Sequence, residues 1–345
     1  MNINQKPLVS IVIPTFNCQK FLCEAIDSAL NQSYSNIEIL VIDDGSTDNT
    51  SEVIKKFGRK IRYIKKDHGG LASARNEGMS LARGEFIAWL DSDDICHPYR
   101  IITQLKYLLN NPLIGLVSSS FSAFNSKGEI SPSYINEYYS TLKHYSGFDS
   151  IYSKSELITC NVSDTNTGIE KIKILVFSGE IYDKLIWGNF IHPPTIMIRR
   201  EAYLKAGFLD EGIPTSEDWE YFLSIANNSP VAFIDFPLLK YRISKNQMSL
   251  LHDNLIATAI LIVVYKNIVR NPHFYLSRKK QFKKMLSNYH SKAAYVLSDR
   301  HPKHSIEHLL KSLKYDYRNT TILKTIVKIL LPYCFIQILR EMRKN

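Results

Sequence analysis

Five short strand-like runs, at residues 8–13, 37–42, 61–64, 86–90 and 115–120, are separated by segments of helical periodicity, and this pattern most constrains the fold. Leu8–Ile13, broken only by Ser10, and Phe86–Leu90 are apolar runs rather than alternating ones, so they read as strands buried on both faces. Between the first two, Phe21, Leu22, Ala25, Ile26, Ala29 and Leu30 recur at helical spacing. A helix is predicted to begin near Asn49, where Glu52 stands three residues on, a spacing that suits a capping box. Further helices are predicted over 72–82, closed by Gly84, and over 99–109. Alternating strands and helices of this kind predict an α/β fold. Its sheet is Rossmann-like and mostly parallel, with helices on both faces.

In such sheets ligands bind beyond the carboxyl ends of the strands. Each distinctive polar cluster in this chain lies at such an end: Thr15–Asn17, Asp43–Ser46 and Asp91–Asp94. The last is the most pointed, because Trp89-Leu90 runs straight into Asp91, Asp93 and Asp94. Crowded carboxylates repel one another unless a cation joins them, and a hard divalent ion takes oxygen ligands completed by water and phosphates. Blander readings stand beside these. Asp43 or Asp44 suits a helix-start cap, Phe16 suits a core position, and Arg75 suits a structural ion pair with Asp43 or Asp94.

From about 125 to 188 the pattern weakens, and an irregular insertion is predicted. Order returns at Ile191–Ile198, followed by an Arg-rich helix ending at Gly207, and beyond 252 the chain reads as all-helical. The division is thus 1–250 for the α/β domain and 251–345 for a helical region. Of the net charge of +10, residues 252–345 hold 18 Lys and Arg against 5 Asp and Glu. Anionic lipid or nucleic acid would answer such a basic region, as would plain solvated helices. Five cysteines without Cys-x-x-Cys spacing fit a reducing compartment. No apolar stretch reaches the ~20 residues of a spanning helix. A cytoplasmic location is expected.

The ordered set Pro14-Thr15-Phe16-Asn17, Asp43-Asp44-Gly45-Ser46-Thr47-Asp48, Gly69-Gly70-Leu71-Ala72-Ser73-Ala74-Arg75-Asn76 and Asp91-Ser92-Asp93-Asp94 resembles family-2 glycosyltransferases of the GT-A fold. So do Gly207-Phe208-Leu209-Asp210 and the later Glu217-Asp218-Trp219. The resemblance covers roughly residues 7–250. It implies an inverting, metal-dependent, hexosyltransferase-type enzyme of bacterial polysaccharide biosynthesis. A sugar would pass from a nucleotide-sugar, UDP-linked in this reading, to a saccharide or lipid-linked acceptor. Carried over, it places Pro14, Phe16 and Asn17 at the nucleotide, with Phe16 stacked on the base and Asp44 accepting a hydrogen bond from it. Arg75 and Asp91 would contact nucleotide and sugar, Asp93 would ligate Mn²⁺ or Mg²⁺, and Glu217 would lie among the substrate contacts. Asp218 would be the catalytic base, with a first-turn acid facing the helix dipole as its plainer reading.

Tyr241-Arg242 and Ser249 are similar to a loop that closes over the nucleotide in that family, although Ile243 and Ser244 stand where a histidine is often found. His192 suits an acceptor pocket or a satisfied structural role. A P-loop is excluded, since no Gly-x-x-x-x-Gly-Lys-Ser/Thr occurs. Gln247 is not followed by the Arg-Trp of processive synthases, which favours one sugar per encounter. The different-class alternative is a non-catalytic nucleotide-sugar or nucleic-acid binding module. Nucleic acid is not the expected partner. Apolar residues Ile322, Ile326, Ile329, Leu330, Phe335, Ile336 and Leu339, flanked by Lys324, Lys328 and Arg340, predict helices that either lie on the cytoplasmic face of the plasma membrane or pack on the catalytic body.

Overall fold

The five runs form strands of one 11-stranded sheet, seen in a computed structural model that describes residues 6–164, 168–244, 253–299 and 301–330. In chain order the elements up to 242 are β1 (Val9–Thr15), α1 (Leu22–Leu30), β2 (Ile37–Asp43), α2 (Thr50–Val53), β3 (Arg62–Lys65), α3 (Leu71–Leu81), β4 (Phe86–Trp89), β5 (Ile95–Cys96), α4 (Arg100–Asn110), β6 (Leu116–Asn125), β7 (Gly128–Ser131), α5 (Ile135–Tyr138), β8 (Lys154–Asp164), β9 (Gly168–Gly179), α6 (Tyr182–Leu185), β10 (Met197–Arg199), α7 (Arg200–Ala206), α8 (Glu217–Ala226) and β11 (Val231–Arg242). The strand order is β3-β2-β1-β4-β10-β6-β11-β9-β8, with β5 on β11 and β7 on β6. Strands β3, β2, β1 and β4 are parallel, as are β6 and β11, while β10 runs antiparallel between β4 and β6.

Close backbone approach fixes two glycines. A Cβ on Gly78 of α3 would stand 2.2 Å from Val12 Cγ1, and one on Gly84 would stand 2.6 Å from the Leu8 carbonyl oxygen. Side chains larger than hydrogen would push α3 and the turn into β4 off β1. The end of β4 is braced from behind by Arg100, which is fully buried. Its guanidinium donates to the Trp89 and Ile196 carbonyls at 2.9 Å each, and to Gln104 Oε1 at 3.1 Å. A buried cation is tolerated because three fixed acceptors replace its water.

Two expectations need correction. The capping box at Asn49 does not form: Asn49 makes no side-chain cap, Glu52 pairs with Lys55, and Asp48 Oδ1 accepts from Thr50 N at 2.9 Å instead. The helix that follows is a single turn. The segment 125–188 is also far from irregular. β8 and β9 pair antiparallel along their whole length and join the sheet through β9 on β11. Lys154, Ser155, Glu156 and Leu157 are exposed in succession along β8, so no alternation marks the strand in sequence.

Two compact units divide the chain: Met1–Glu211 with Asp218–Ser244, and Gly212–Glu217 with Lys245–Asn345. The second contains α9 (Asp253–Arg270), α10 (Pro272–Ser277), α11 (Lys279–Leu297), α12 (Pro302–Tyr315) and α13 (Thr321–Leu330). Small residues let α11 and α12 meet: Ser287 Oγ lies 3.1 Å from Ser312 Oγ, and Ser305 donates to the Ala294 carbonyl at 2.6 Å. Ile322 and Thr325 of α13 are buried, and Thr321 Oγ1 bonds Ser291 Oγ at 3.0 Å. One flank of the predicted membrane face therefore packs on α11. Phe335, Ile336, Leu339 and Arg340 lie outside the described residues. No helix among the described residues is long and apolar enough to cross a membrane.

Candidate active site

Parallel pairing of β2, β1 and β4 brings Asp43, Thr15 and the Asp91–Asp94 turn to one edge of the sheet. The loops are tied together there. Asn17, in the left-handed region at φ 49°, accepts from Thr47 N at 2.8 Å, and its own N–H donates to Ser46 Oγ at 2.9 Å. The Cys18 thiol donates to the Ser92 carbonyl at 3.4 Å. Asn17 therefore spends its amide oxygen on holding the first two loops in register. Pro14, expected at the substrate, is buried within β1 opposite Ile42.

Phe16 is not core. Its ring is 46% exposed and stacks on the His68 imidazole at a centroid distance of 4.4 Å. The two rings make an open platform that a planar base can extend. His68 was missed in the sequence, although the Gly69-Gly70 beside it marks a loop built for close approach. Asp44 organises that loop. Its Oδ1 accepts from Lys66 Nζ at 3.0 Å and Gly69 N at 2.9 Å, while Oδ2 accepts from Gly70 N at 2.7 Å and pairs with His68 Nδ1 at 2.8 Å. Asp43 is likewise used internally, accepting from Ser46 N at 2.8 Å and from the Tyr63 hydroxyl.

Arg75 is buried in α3, its guanidinium 4.7 Å from the Trp89 ring centre, and it donates to Asp91 Oδ1 at 3.1 Å. The structural partner is thus Asp91, not Asp43 or Asp94. Asp93 and Asp94 sit deeper. Burial, then repulsion from Asp91, pushes the Asp93 carboxyl up to about 6. Burial, then Asp93 and Asp91, raises Asp94 well above the carboxylate range. Arg242 grips this turn: its backbone N–H donates to Asp94 Oδ1 at 2.9 Å, Nε to the Asp93 carbonyl at 2.7 Å, and a terminal nitrogen to Glu24 at 2.8 Å. Asp94 Oδ2 is buried without a hydrogen-bond partner. Two carboxyls held in a form that resists ionisation, one with an orphaned oxygen, fit a site whose charge a divalent cation relieves. No group of three or more His, Cys, Asp or Glu among the described residues is arranged to hold a metal alone.

Asp218 lies in the first turn of α8. Its Oδ1 accepts from Trp219 N at 2.8 Å and its Oδ2 from Asn189 Nδ2 at 3.4 Å. Trp219 anchors the turn by donating Nε1–H to the Leu185 carbonyl at 2.8 Å. Glu217 opens α8 one residue earlier, on a different face. Tyr139 links the two sides of the edge: its hydroxyl is pushed up by burial first and then by Tyr138, Asp218, Tyr241 and Asp91, so both acids lie within its electrostatic reach. Asn189 and Tyr139 carry no signal in the sequence; contacts from a weakly patterned segment supply them. Ser249 lies outside the described residues.

An open stacking platform, a buried acidic turn and an acid at a helix start lie on the carboxyl edge of a GT-A-like α/β sheet. The sequence matches the family model Glycosyl transferase family 2 over residues 10–171, and the chain carries a domain of that family. A Rickettsia felis protein described as an uncharacterized glycosyltransferase is 33% identical over 245 residues, 70% of this chain and 35% of the relative. The chain thus spans about a third of that relative's length. Pasteurella multocida hyaluronan synthase is 41% identical over 132 residues, 37% of this chain and 14% of the synthase. The crystal structure of S. aureus TarS 1–349 in complex with UDP-GlcNAc shares the fold, with a TM-score of 0.52 and 16% identity, covering 89% of this chain and 88% of that one.

Proposed function

We propose that this chain is an inverting glycosyltransferase that moves one sugar from a UDP-linked donor to a hydroxyl of a saccharide or lipid-linked acceptor in polysaccharide biosynthesis. The observation that carries the reading is the shared edge: the Phe16–His68 platform, the Asp91–Asp94 turn and Asp218 belong to one rim of one sheet. The base of the nucleotide extends the Phe16–His68 stack. Arg75 and Asp91, locked together, meet the ribose and sugar. Asp93, with Asp94 behind it, would hold Mn²⁺ or Mg²⁺, and that ion would supply positive charge to the departing group.

Asp218 takes the proton of the attacking hydroxyl as its oxygen bonds the anomeric carbon. The bond from that carbon to the diphosphate breaks on the opposite face, and UDP leaves with the electron pair. One base suffices for inversion, with no carboxylate nucleophile and no covalent intermediate. Asn189 and Trp219 N–H hold the carboxylate for that transfer. Incubating the chain with UDP-glucose, UDP-GlcNAc, UDP-galactose and UDP-glucuronic acid in Mn²⁺ tests the reading. Release of UDP from one of them supports it, whereas UDP binding without release from any favours a non-catalytic nucleotide-sugar binding module.

The acceptor side of the proposal includes contact with the inner face of the plasma membrane through the helical unit. The net +13 of residues 252–345, with Ile306 46% and Leu310 61% exposed beside Lys303 and Lys311, supports it. Basic groups near anionic lipid contribute about 1 kcal/mol each. Flotation with phosphatidylserine vesicles is expected for the parent and weakened in Leu310→Glu; equal flotation of both, or of neither, removes the membrane from the account.

A further inference from the structure

His192 stands just before β10, in a run of which the proposed chemistry makes no use. Its ring is 3% exposed, stacked on Phe121 at 4.0 Å and crossed edge-on by Tyr138, Tyr139 and Tyr241. Burial, then the cations of Arg75 and Arg100, lowers its basicity to about 3, so the imidazole is neutral. Its tautomer follows from one proton. The Tyr139 hydroxyl donates to the Ile191 carbonyl at 3.0 Å, so toward His192 Nδ1, 3.2 Å away, the phenol oxygen can only accept. Nδ1 carries the hydrogen, and Nε2 presents a lone pair.

That Nε2 is buried and has no hydrogen-bond partner. A buried acceptor left unmade is costly, and native structures keep few of them without a use. Three residues before the ring, Asn189 bonds the Asp218 carboxylate, and Tyr241, edge-on to the ring at 5.0 Å, precedes Arg242, which grips the Asp93–Asp94 turn. The unused lone pair therefore belongs to the neighbourhood of the base and the acidic turn, where the transferred sugar has to sit. Of the rings around it, Tyr138 is the one that is part-exposed, which marks the side of entry.

We propose that His192 Nε2 accepts a hydrogen bond from a hydroxyl of the donor sugar, making His192 a residue that selects among nucleotide-sugars. The inference rests on the glycosyltransferase reading and deepens it, adding a contact to the sugar rather than to the nucleotide. Asparagine and glutamine separate the two ring nitrogens. His192→Asn keeps an amide N–H near Nδ1 for Tyr139 and deletes the outer acceptor; His192→Gln puts an amide near Nε2.

Calorimetric titration of the full chain with UDP, and with the four UDP-sugars above in Mn²⁺, reads the result. The Asn variant is expected to bind UDP within about twofold of the parent while losing about tenfold in affinity for the preferred UDP-sugar, with Gln recovering most of it. Unchanged affinity for both ligands in the Asn variant overturns the proposal, since the lone pair then meets water or nothing. Parallel loss of UDP and UDP-sugar binding overturns it in favour of a purely structural ring. A parent that binds UDP but no UDP-sugar, or binds neither, overturns the donor-sugar reading itself, and this inference with it.

Discussion

Replacing Asp44 with asparagine separates two roles that the sequence could not tell apart: direct contact with the base, and construction of the loop that carries His68. The side chain is buried, and each of its oxygens receives a backbone N–H, from Gly69 at 2.9 Å and from Gly70 at 2.7 Å. Whichever way an asparagine amide turns, its NH₂ faces one of those donors. The Lys66 ammonium, 3.0 Å away, also loses its charge partner. An unmade buried donor costs about 1–3 kcal/mol and a lost charge-assisted bond about as much, with partial relaxation. The sum is roughly 2–4 kcal/mol, and the unit should melt about 5–10 °C lower. UDP affinity should fall at least about tenfold in parallel, because His68 and hence the Phe16 stack lose their footing. Differential scanning fluorimetry with UDP calorimetry checks both. An Asp44→Asn variant that melts like the parent but binds UDP weakly refutes the organising role and returns Asp44 to direct contact with the base.

Two further outcomes follow from the geometry. Asp218→Asn should bind UDP and UDP-sugar as the parent does and lose about 10²–10⁴-fold in transfer rate, measured as UDP release in the presence of acceptor; retained activity would hand the base role to another residue. The helical unit should be acid-sensitive. His290 lies 2.8 Å from His308 and 3.0 Å from the Tyr265 hydroxyl, and burial, then His308 and Lys311, lowers it to about 4. A histidine depressed by folding contributes stability that is full above its unfolded value near 6.5 and is lost as pH falls toward 4. Between pH 7 and pH 5 the loss is up to about 2 kcal/mol. Helical circular dichroism during melting should show it, and His290→Gln should remove most of the pH dependence.

Much of the sheet was legible because its central strands are buried on both faces, so Phe86–Trp89 is apolar without interruption and Val9–Ile13 is interrupted only by Ser10. The β8–β9 hairpin was not, since Lys154–Leu157 are exposed on both faces of β8 and leave no alternation to read. The polar clusters announced the site edge, yet their residues divide by depth. Phe16 stands out on the surface, whereas Asp43, Asp44 and Asn17 are consumed by the loops they shape. Residue type told which side chains gather at the edge; only pairing told which hold the loops. Asn189 and Tyr139 reach the edge from distant parts of the chain, and nothing local to them signals it, whereas Arg242 was marked by its likeness to a closing loop. Asn49 shows the reverse case, where a local cap pattern yielded to Asp48 because the chain turns tighter than a regular helix there.

A divalent ion held by the acidic turn at the end of β4 should make UDP binding depend on that ion. Calorimetric titration of UDP into the parent and into Asp93→Asn, each with Mn²⁺ and with chelator, measures the dependence. Mn²⁺ is expected to strengthen UDP binding to the parent at least about tenfold. Asp93→Asn is expected to abolish this gain while binding in chelator stays near the parent's. UDP binding to the parent that ignores Mn²⁺, or an Asp93→Asn variant that keeps the full gain, contradicts an ion held at that turn.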